Sequence, residues 1–264
     1  MKKACDGLVL RVTDSGENDR TLTFLTAEEG KLHIIAKGAR SVRSRNAPLC
    51  RILSYSNLEL HKKNDLYWLM GGSLNNAFFG INQDLEAFAL ASYIAEIADE
   101  ISGESFPAHE VLQMTLNTLY AIETGLKPLW QIKATYELFA ANVSGFMPDL
   151  SACRDCGNET FEGELWLDVM NGAIVCADCL SKKNGSLPVP ETDRFETRNI
   201  LLPLDASALA AMRYIAAAPP KRIFAYGLSS KESADYLCRA AETYLLNHLE
   251  RGFDTLTFYH TVTK

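Results

Sequence analysis

The chain lacks the sequence scaffolds of the commonest nucleotide and ester chemistries. It has no G-x-x-x-x-G-K-[ST], no G-x-G-x-x-G and no G-x-S-x-G, so the phosphate-cradling loop, the dinucleotide turn and the nucleophile elbow are absent. It has no uninterrupted apolar run of the roughly 18 residues that a transmembrane helix requires. The opening MKKACDGLVLRV has its apolar residues interrupted by Asp6 and Arg11, so no signal-peptide core is expected and a cytoplasmic protein is. Carboxylate pairs such as Asp99/Glu100 are expected on solvated helix faces. No catalytic constellation emerges, and the chain is not expected to be an enzyme. One further absence is local: Ala36–Leu58 (AKGARSVRSRNAPLCRILSYSNL) contains no acidic residue.

That acid-free stretch carries Lys37, Arg40, Arg43, Arg45 and Arg51 in a protein of formal net charge -7. Residues 1–63 hold 12 Lys+Arg against 7 Asp+Glu, a local +5; the totals of 26 and 33 leave 14 against 26, or -12, for the rest. A cationic loop on an anionic body points to a polyanion, most commonly a phosphate backbone. A solvated loop kept basic for solubility is the plain alternative. The 47% apolar and 22% charged residues are those of a globular protein with a substantial core, in one large or two to three small domains.

From Asp6 to about Leu74 the pattern is that of short strands: Gly7–Val12, Thr21–Thr26, Lys31–Ala36, Ile52–Leu60 and Leu66–Gly71. Five short strands in this span suit a closed barrel of the oligonucleotide-binding (OB) type, which has no exposed edges. The basic stretch then becomes the long connection between the third and fourth strands, punctuated by Gly38 and Pro48 and expected to be irregular. Phe24, Tyr55, Tyr67 and Trp68 are expected mainly to fill the barrel. Tyr67 and Trp68 must point to opposite faces, so one of them could stack a base.

Helical spacing follows from Asp84 to Ile101, from Pro107 to Thr124 and from Pro128 to Val143. Further on, Leu187–Pro190 reads as a linker. Asp205 caps a helix over Ala206–Ala217, and a last helix runs from Ser229 or Ser230 to Leu249 before Gly252. His248 on its stripe reads as a packed interior residue.

Four of the seven cysteines form Cys153-x-x-Cys156 and Cys176-x-x-Cys179, with 19 residues between the inner pair. Each pair can grip one edge of a tetrahedron, and the interval allows a hairpin around Met170-Asn171-Gly172. One structural Zn2+ is expected. Four Cys ligands leave no open position for catalysis, and the deaminase order is wrong, because His248-Leu249-Glu250 follows both pairs. Asp149, Asp155, Glu159, Glu162, Glu164, Asp168 and Asp178 surround the site against Arg154 alone, so it is expected to be a clip or a protein contact and not to hold phosphate. Cys5, Cys50 and Cys238 read as small core residues.

The expected architecture is α+β and multidomain: an OB-fold barrel at 1–80, a helical domain at 81–150 and 182–264, and a four-cysteine zinc hairpin inserted at 151–181. Gly7-Leu-Val-Leu-Arg11, Asn18-Asp-Arg-Thr-Leu-Thr23, Glu29-Gly-Lys-Leu32, Ala36-Lys-Gly-Ala-Arg40, the cysteine quartet and Tyr244-Leu-Leu-Asn-His248-Leu together resemble the bacterial RecO recombination mediators over nearly the whole chain. The resemblance implies a non-enzymatic DNA-repair protein, cytoplasmic and nucleoid-associated. Such a protein binds single- and double-stranded DNA, anneals strands, associates with the RecR ring and the single-strand-binding protein, and helps load the RecA recombinase. It also implies that Lys37 and Arg40 lie in a DNA-binding loop and Arg11 and Arg20 in barrel motifs. Charge and position add Lys31, Arg43, Arg45 and Arg51. The competing reading is a zinc-containing adaptor whose basic loop docks an acidic protein.

Overall fold

The computed structural model describes residues 2–41, 43–64, 66–161, 163–184 and 200–263; the expected linker at Leu187–Pro190 lies outside them. The chain divides into two compact units, Met1–Leu129 with Phe253–Lys264, and Trp130–Gly252.

In the first unit, β1 (Lys2–Ser15), β2 (Asp19–Thr26), β3 (Gly30–Ala36), β4 (Tyr55–Lys63) and β5 (Leu66–Asn76) close into a five-stranded, OB-like barrel in the order β1-β2-β3-β5-β4. Neighbours are antiparallel except β3 and β5, which run parallel at Ile34–Tyr67 and Ile35–Trp68. The interior is filled by Val9, Leu22, Phe24, Leu32, Ile34, Leu58, Leu60 and Leu69.

Strand β1 serves two partners. Lys2–Leu8 pairs with β4, and Gly7–Ser15 pairs with β2. Gly7 lies where the two pairings overlap: a Cβ there would collide with the Leu25 carbonyl oxygen and sit 2.6 Å from the Phe24 ring. Beyond it the register shifts between Val9 and Arg11, and the Val9 backbone bonds Leu53 and Ser54 instead. The strand begins earlier than its sequence pattern predicts because Lys2–Asp6 find their ladder partners far along the chain. Strand β4 begins later, at Tyr55, because Leu53 takes φ 65 and turns the chain.

The connection from β3 to β4 is irregular, as its composition predicts, but its described residues are tied to the barrel. Gly38 donates to Asp19 Oδ1 at 2.8 Å, Arg40 N–H donates to the Asn18 carbonyl at 3.1 Å, and Ala47–Cys50 form a 3-10 turn. Ala39, Leu49 and Cys50 from this connection join the barrel core. Helix α1 (Leu85–Ile101) is capped by the Asp84 carboxylate, which accepts from the Glu86 and Ala87 N–H groups. Helix α2 (His109–Glu123) follows it in this unit. A terminal helix that the sequence pattern did not reveal, α7 (Asp254–Val262), packs on α1; the Phe253 ring meets Tyr93 edge-on at 5.5 Å and Thr255 donates to Glu96.

The second unit holds α3 (Leu129–Val143), β6 (Asp149–Cys153), β7 (Leu165–Asp168), β8 (Ala173–Cys176), α4 (Ala177–Asn184), β9 (Leu201–Leu204), α5 (Ala206–Ala217) and α6 (Lys231–Leu249). The expected hairpin, β7 and β8, is the centre of a four-stranded sheet ordered β6-β8-β7-β9, so residues on both sides of 151–181 contribute strands. Asp205 caps α5 as expected. Helix α6 ends with Glu250 in the left-handed region (φ 52), ahead of Gly252.

A charged group lies deep in this unit: Lys133 Nζ on α3 bonds Glu137 at 2.7 Å and Glu242 on α6 at 2.6 Å. Burial works against the Lys133 charge, but the two carboxylates overcome it and raise the pKa above the ordinary lysine value. Removing one member of such a group leaves buried charge uncompensated. Lys133→Met is therefore expected to lower unfolding stability by about 3–5 kcal/mol, read by urea denaturation. Gly7→Ala, which pushes a methyl into the Leu25 carbonyl, is expected to cost about 1–3 kcal/mol by the same measurement.

Candidate nucleic-acid interface and metal centre

The cations expected to meet DNA fall into three groups. Arg11 on β1 and Lys31 on β3 converge on Asp99 of α1: Arg11 Nη2 pairs with Oδ2, and Lys31 Nζ lies 3.1 Å from Oδ1 and also donates to the Asp99 backbone oxygen. Asp99 is 8% exposed, not on a solvated face as its sequence context predicted. Burying a carboxylate requires compensation, which these two cations supply, so Lys31 is largely committed to the seam between barrel and helix.

Arg20 and Arg40 share a second carboxylate. Arg20 Nε is 3.3 Å and Arg40 Nε 3.4 Å from Asp14, Arg20 Nη1 donates to the Cys50 carbonyl at 3.2 Å, and Arg40 Nη1 donates to that of Gly16 at 2.7 Å. These contacts orient the guanidinium groups, and with two cations to one carboxylate each group keeps a net positive charge.

The third group is exposed. Lys37, Arg43, Arg45 and Arg51 all lie on the connection between β3 and β4, with no carboxylate partner among the described residues. Because Ala39, Leu49 and Cys50 of this segment are drawn into the core, the charged side chains between them are left outside. Lys37 Nζ sits 4.9 Å from the centroid of the Trp68 ring.

Of the barrel aromatics, Phe24 is fully buried. Tyr67, paired with buried Ile34, packs against the core, and its hydroxyl donates to Glu29 at 3.3 Å. Trp68 lies on the opposite face beside Ile35 and Lys37, as the period of two requires. Local pattern did not identify Asp14 and Asp99 as anchors for these cations, because their partners lie on other strands or on a helix.

The four thiols form a compact group. Cys153 ends β6, Cys176 ends β8, Cys156 sits in the turn after β6 and Cys179 in the first turn of α4. Their sulfurs lie within 4.8 Å of one another, with Cys156 and Cys176 3.8 Å apart. Zn–S bonds of about 2.3 Å in a tetrahedron imply S···S edges of about 3.8 Å, so the donor set and its spacing fit a tetrahedral thiophilic ion.

The turn after Cys153 is tight: Gly157 N–H donates to the Cys153 carbonyl at 2.8 Å, with Gly157 in the left-handed region at φ 72. Burial opposes ionisation of Cys153, but the N–H groups of Cys176, Cys156 and Asp155 stabilise its thiolate and bring it down to about 6. Burial and the neighbouring thiols push Cys179 up to about 12. The one arginine of the segment, Arg154, is held 2.7 Å from the buried Asp168, so it is not presented to a phosphate.

Comparison with known proteins agrees with this architecture. Residues 1–78 match the family model described as Recombination protein O N terminal, and residues 82–257 match Recombination protein O C terminal. The DNA repair protein RecO of Acetivibrio thermocellus is 27% identical over 259 residues, covering 98% of this chain and 96% of that protein. The DNA repair protein RecO of an Anaeromyxobacter species (strain K) is 34% identical over 216 residues, 81% of this chain and 83% of that protein. That of Bacillus subtilis is 29% identical over 195 residues, 74% and 75%. With both family models matched in order over the barrel and the helical region, the chain belongs to the Recombination protein O family of DNA repair proteins.

Proposed function

We propose that the protein is a recombination mediator that binds and anneals single-stranded DNA and helps load a recombinase, working with a RecR-like ring and a single-strand-binding protein in the cytoplasm at the nucleoid. It performs no covalent chemistry on the strand. The observation that carries this reading is the set of four exposed cations, Lys37, Arg43, Arg45 and Arg51, on one connection that is anchored in the barrel core. Arg20 and Arg40 add positive charge, oriented by Asp14. A polynucleotide gains free energy there by releasing condensed counterions. The same surface lowers the repulsion between two phosphate backbones brought together for pairing. Arg11 and Lys31 act mainly by fixing α1 to the barrel through Asp99.

One structural zinc ion on Cys153, Cys156, Cys176 and Cys179 would tie the end of β6 to the end of β8 and the start of α4. When bound it supplies tetrahedral thiolate cross-linking and leaves no open position for substrate. The acidic surroundings suit a clip or a protein contact.

Four phosphate contacts correspond to a slope of about -2.8 for log affinity against log salt on a single strand. Replacing Lys37, Arg43 and Arg45 together by alanine should flatten the slope to about -0.7; an unchanged slope would place the binding surface elsewhere. The purified protein should contain one zinc per chain by atomic emission. Cys153→Ser and Cys176→Ser should each abolish it while leaving DNA affinity within about two-fold, since an acidic clip makes no phosphate contact. Full zinc content in both variants would exclude the quartet as the site.

A further inference from the structure

A cleft of about 520 Å³ opens beside the basic connection. Its walls come from the end of that connection (Cys50, Arg51), from Arg20 on β2, and from the segment between β5 and α1 with the start of α1 (Phe79, Asn82, Phe88). The volume is in the range of about 300–1,000 Å³ that ligand clefts occupy, and the walls are mainly apolar with a few polar groups, as such clefts require.

Three features make it more than a surface depression. Its lining includes two arginines and two phenylalanines, which suits a ligand with a flat apolar part and an anionic part. Phe79 is 61% exposed on its wall while the preceding residue, Phe78, is 3% exposed and packed inside. Between the lining residues Ile52 and Ser54, and between Ala77 and Phe79, the chain takes the left-handed region without glycine, Leu53 at φ 65 and Phe78 at φ 44, a strained conformation that collects at ligand clamps. The Cys50 thiol, pushed up to about 11 by burial, is a neutral part of the wall at physiological pH.

We propose that this cleft captures one unpaired base of a DNA single strand against Phe79, with the adjoining phosphates on Arg51 and Arg20. The assignment rests on the reading that the basic connection binds DNA. A polymer is favoured over a small anion because Cys50 and Arg51 of the cleft belong to the same connection as the exposed cations Lys37, Arg43 and Arg45, which a lone anion would not use. In a duplex each base is stacked and paired, so filling the cleft requires flipping it out; a single strand presents its bases without that cost. A surface that otherwise senses only phosphate thereby distinguishes unpaired strand from product. It also loosens its hold once a complementary strand draws the base back into the stack.

The test compares an oligothymidylate with an abasic oligodeoxynucleotide of equal length and charge, by fluorescence anisotropy on the full chain. The wild-type protein is expected to prefer the base-bearing strand about ten-fold, a typical contribution of one base–aromatic stack. Phe79→Ala should remove the preference and leave abasic affinity unchanged, Phe79→Trp should keep it, and alanine at Lys37, Arg43 and Arg45 should weaken both ligands alike. Equal wild-type affinity for the two oligomers overturns the proposal while leaving DNA binding by the connection intact. A preference that survives Phe79→Ala also overturns it and moves the base contact elsewhere, with Trp68 the next candidate. Absence of binding to either oligomer at low salt removes the underlying reading, and the cleft assignment with it.

Discussion

Ala39, Leu49 and Cys50 lie on the longest connection of the barrel yet are 1%, 4% and 0% exposed, because they complete the barrel's own core. Burying them is favourable in the ordinary way, at about 25 cal/mol per Å² of apolar surface. The consequence for function is geometric. A segment held by its apolar residues must leave Lys37, Arg43, Arg45 and Arg51 in solvent, since an isolated buried ammonium or guanidinium group is far more costly than an exposed one. These exposed cations are thus placed largely by the packing of their neighbours, with Lys37 also held against the Trp68 ring.

Two carboxylates organise the remaining positive charge. Asp99 binds Arg11 and Lys31 at the junction of barrel and α1, and Asp14 holds Arg20 and Arg40 at the mouth of the β1–β2 turn. Each is outnumbered by its cations, so each orients charge without cancelling it. The two differ in consequence. Asp99 is buried, and its partners are needed to stabilise a carboxylate out of water. Asp14 is half-exposed, and its pairs are weakened by solvent and salt screening.

The cysteine cluster belongs to a different electrostatic environment. Its arginine is used by the buried Asp168, and the surrounding residues are acidic, so the segment is unsuited to holding a polyanion. Its sheet is completed by β6, which ends at Cys153, and by β9, which follows both Cys-x-x-Cys pairs in sequence, so a metal there would consolidate a sheet built from strands on both sides of the hairpin.

Several features were legible in the residues themselves. Alternation in polarity marked five strands, helical spacing marked α1, α2, α3, α5 and α6, and the spacing of Cys153, Cys156, Cys176 and Cys179 marked the metal-type cluster, because each depends on neighbours within a few positions or on a fixed local geometry. The acid-free run from Ala36 to Leu58 marked the cationic connection for the same reason. Tertiary structure decided what depends on residues distant in sequence: the pairing that extends β1 back to Lys2, the burial of Asp99 against Arg11 and Lys31, the return of α7 onto α1, the addition of β9 to the sheet, and the meeting of Arg20, Arg51 and Phe79 in one cleft. Periodicity reports which face of an element is apolar. Which partner covers that face, and which charges it leaves together in water, is settled only when the chain closes on itself.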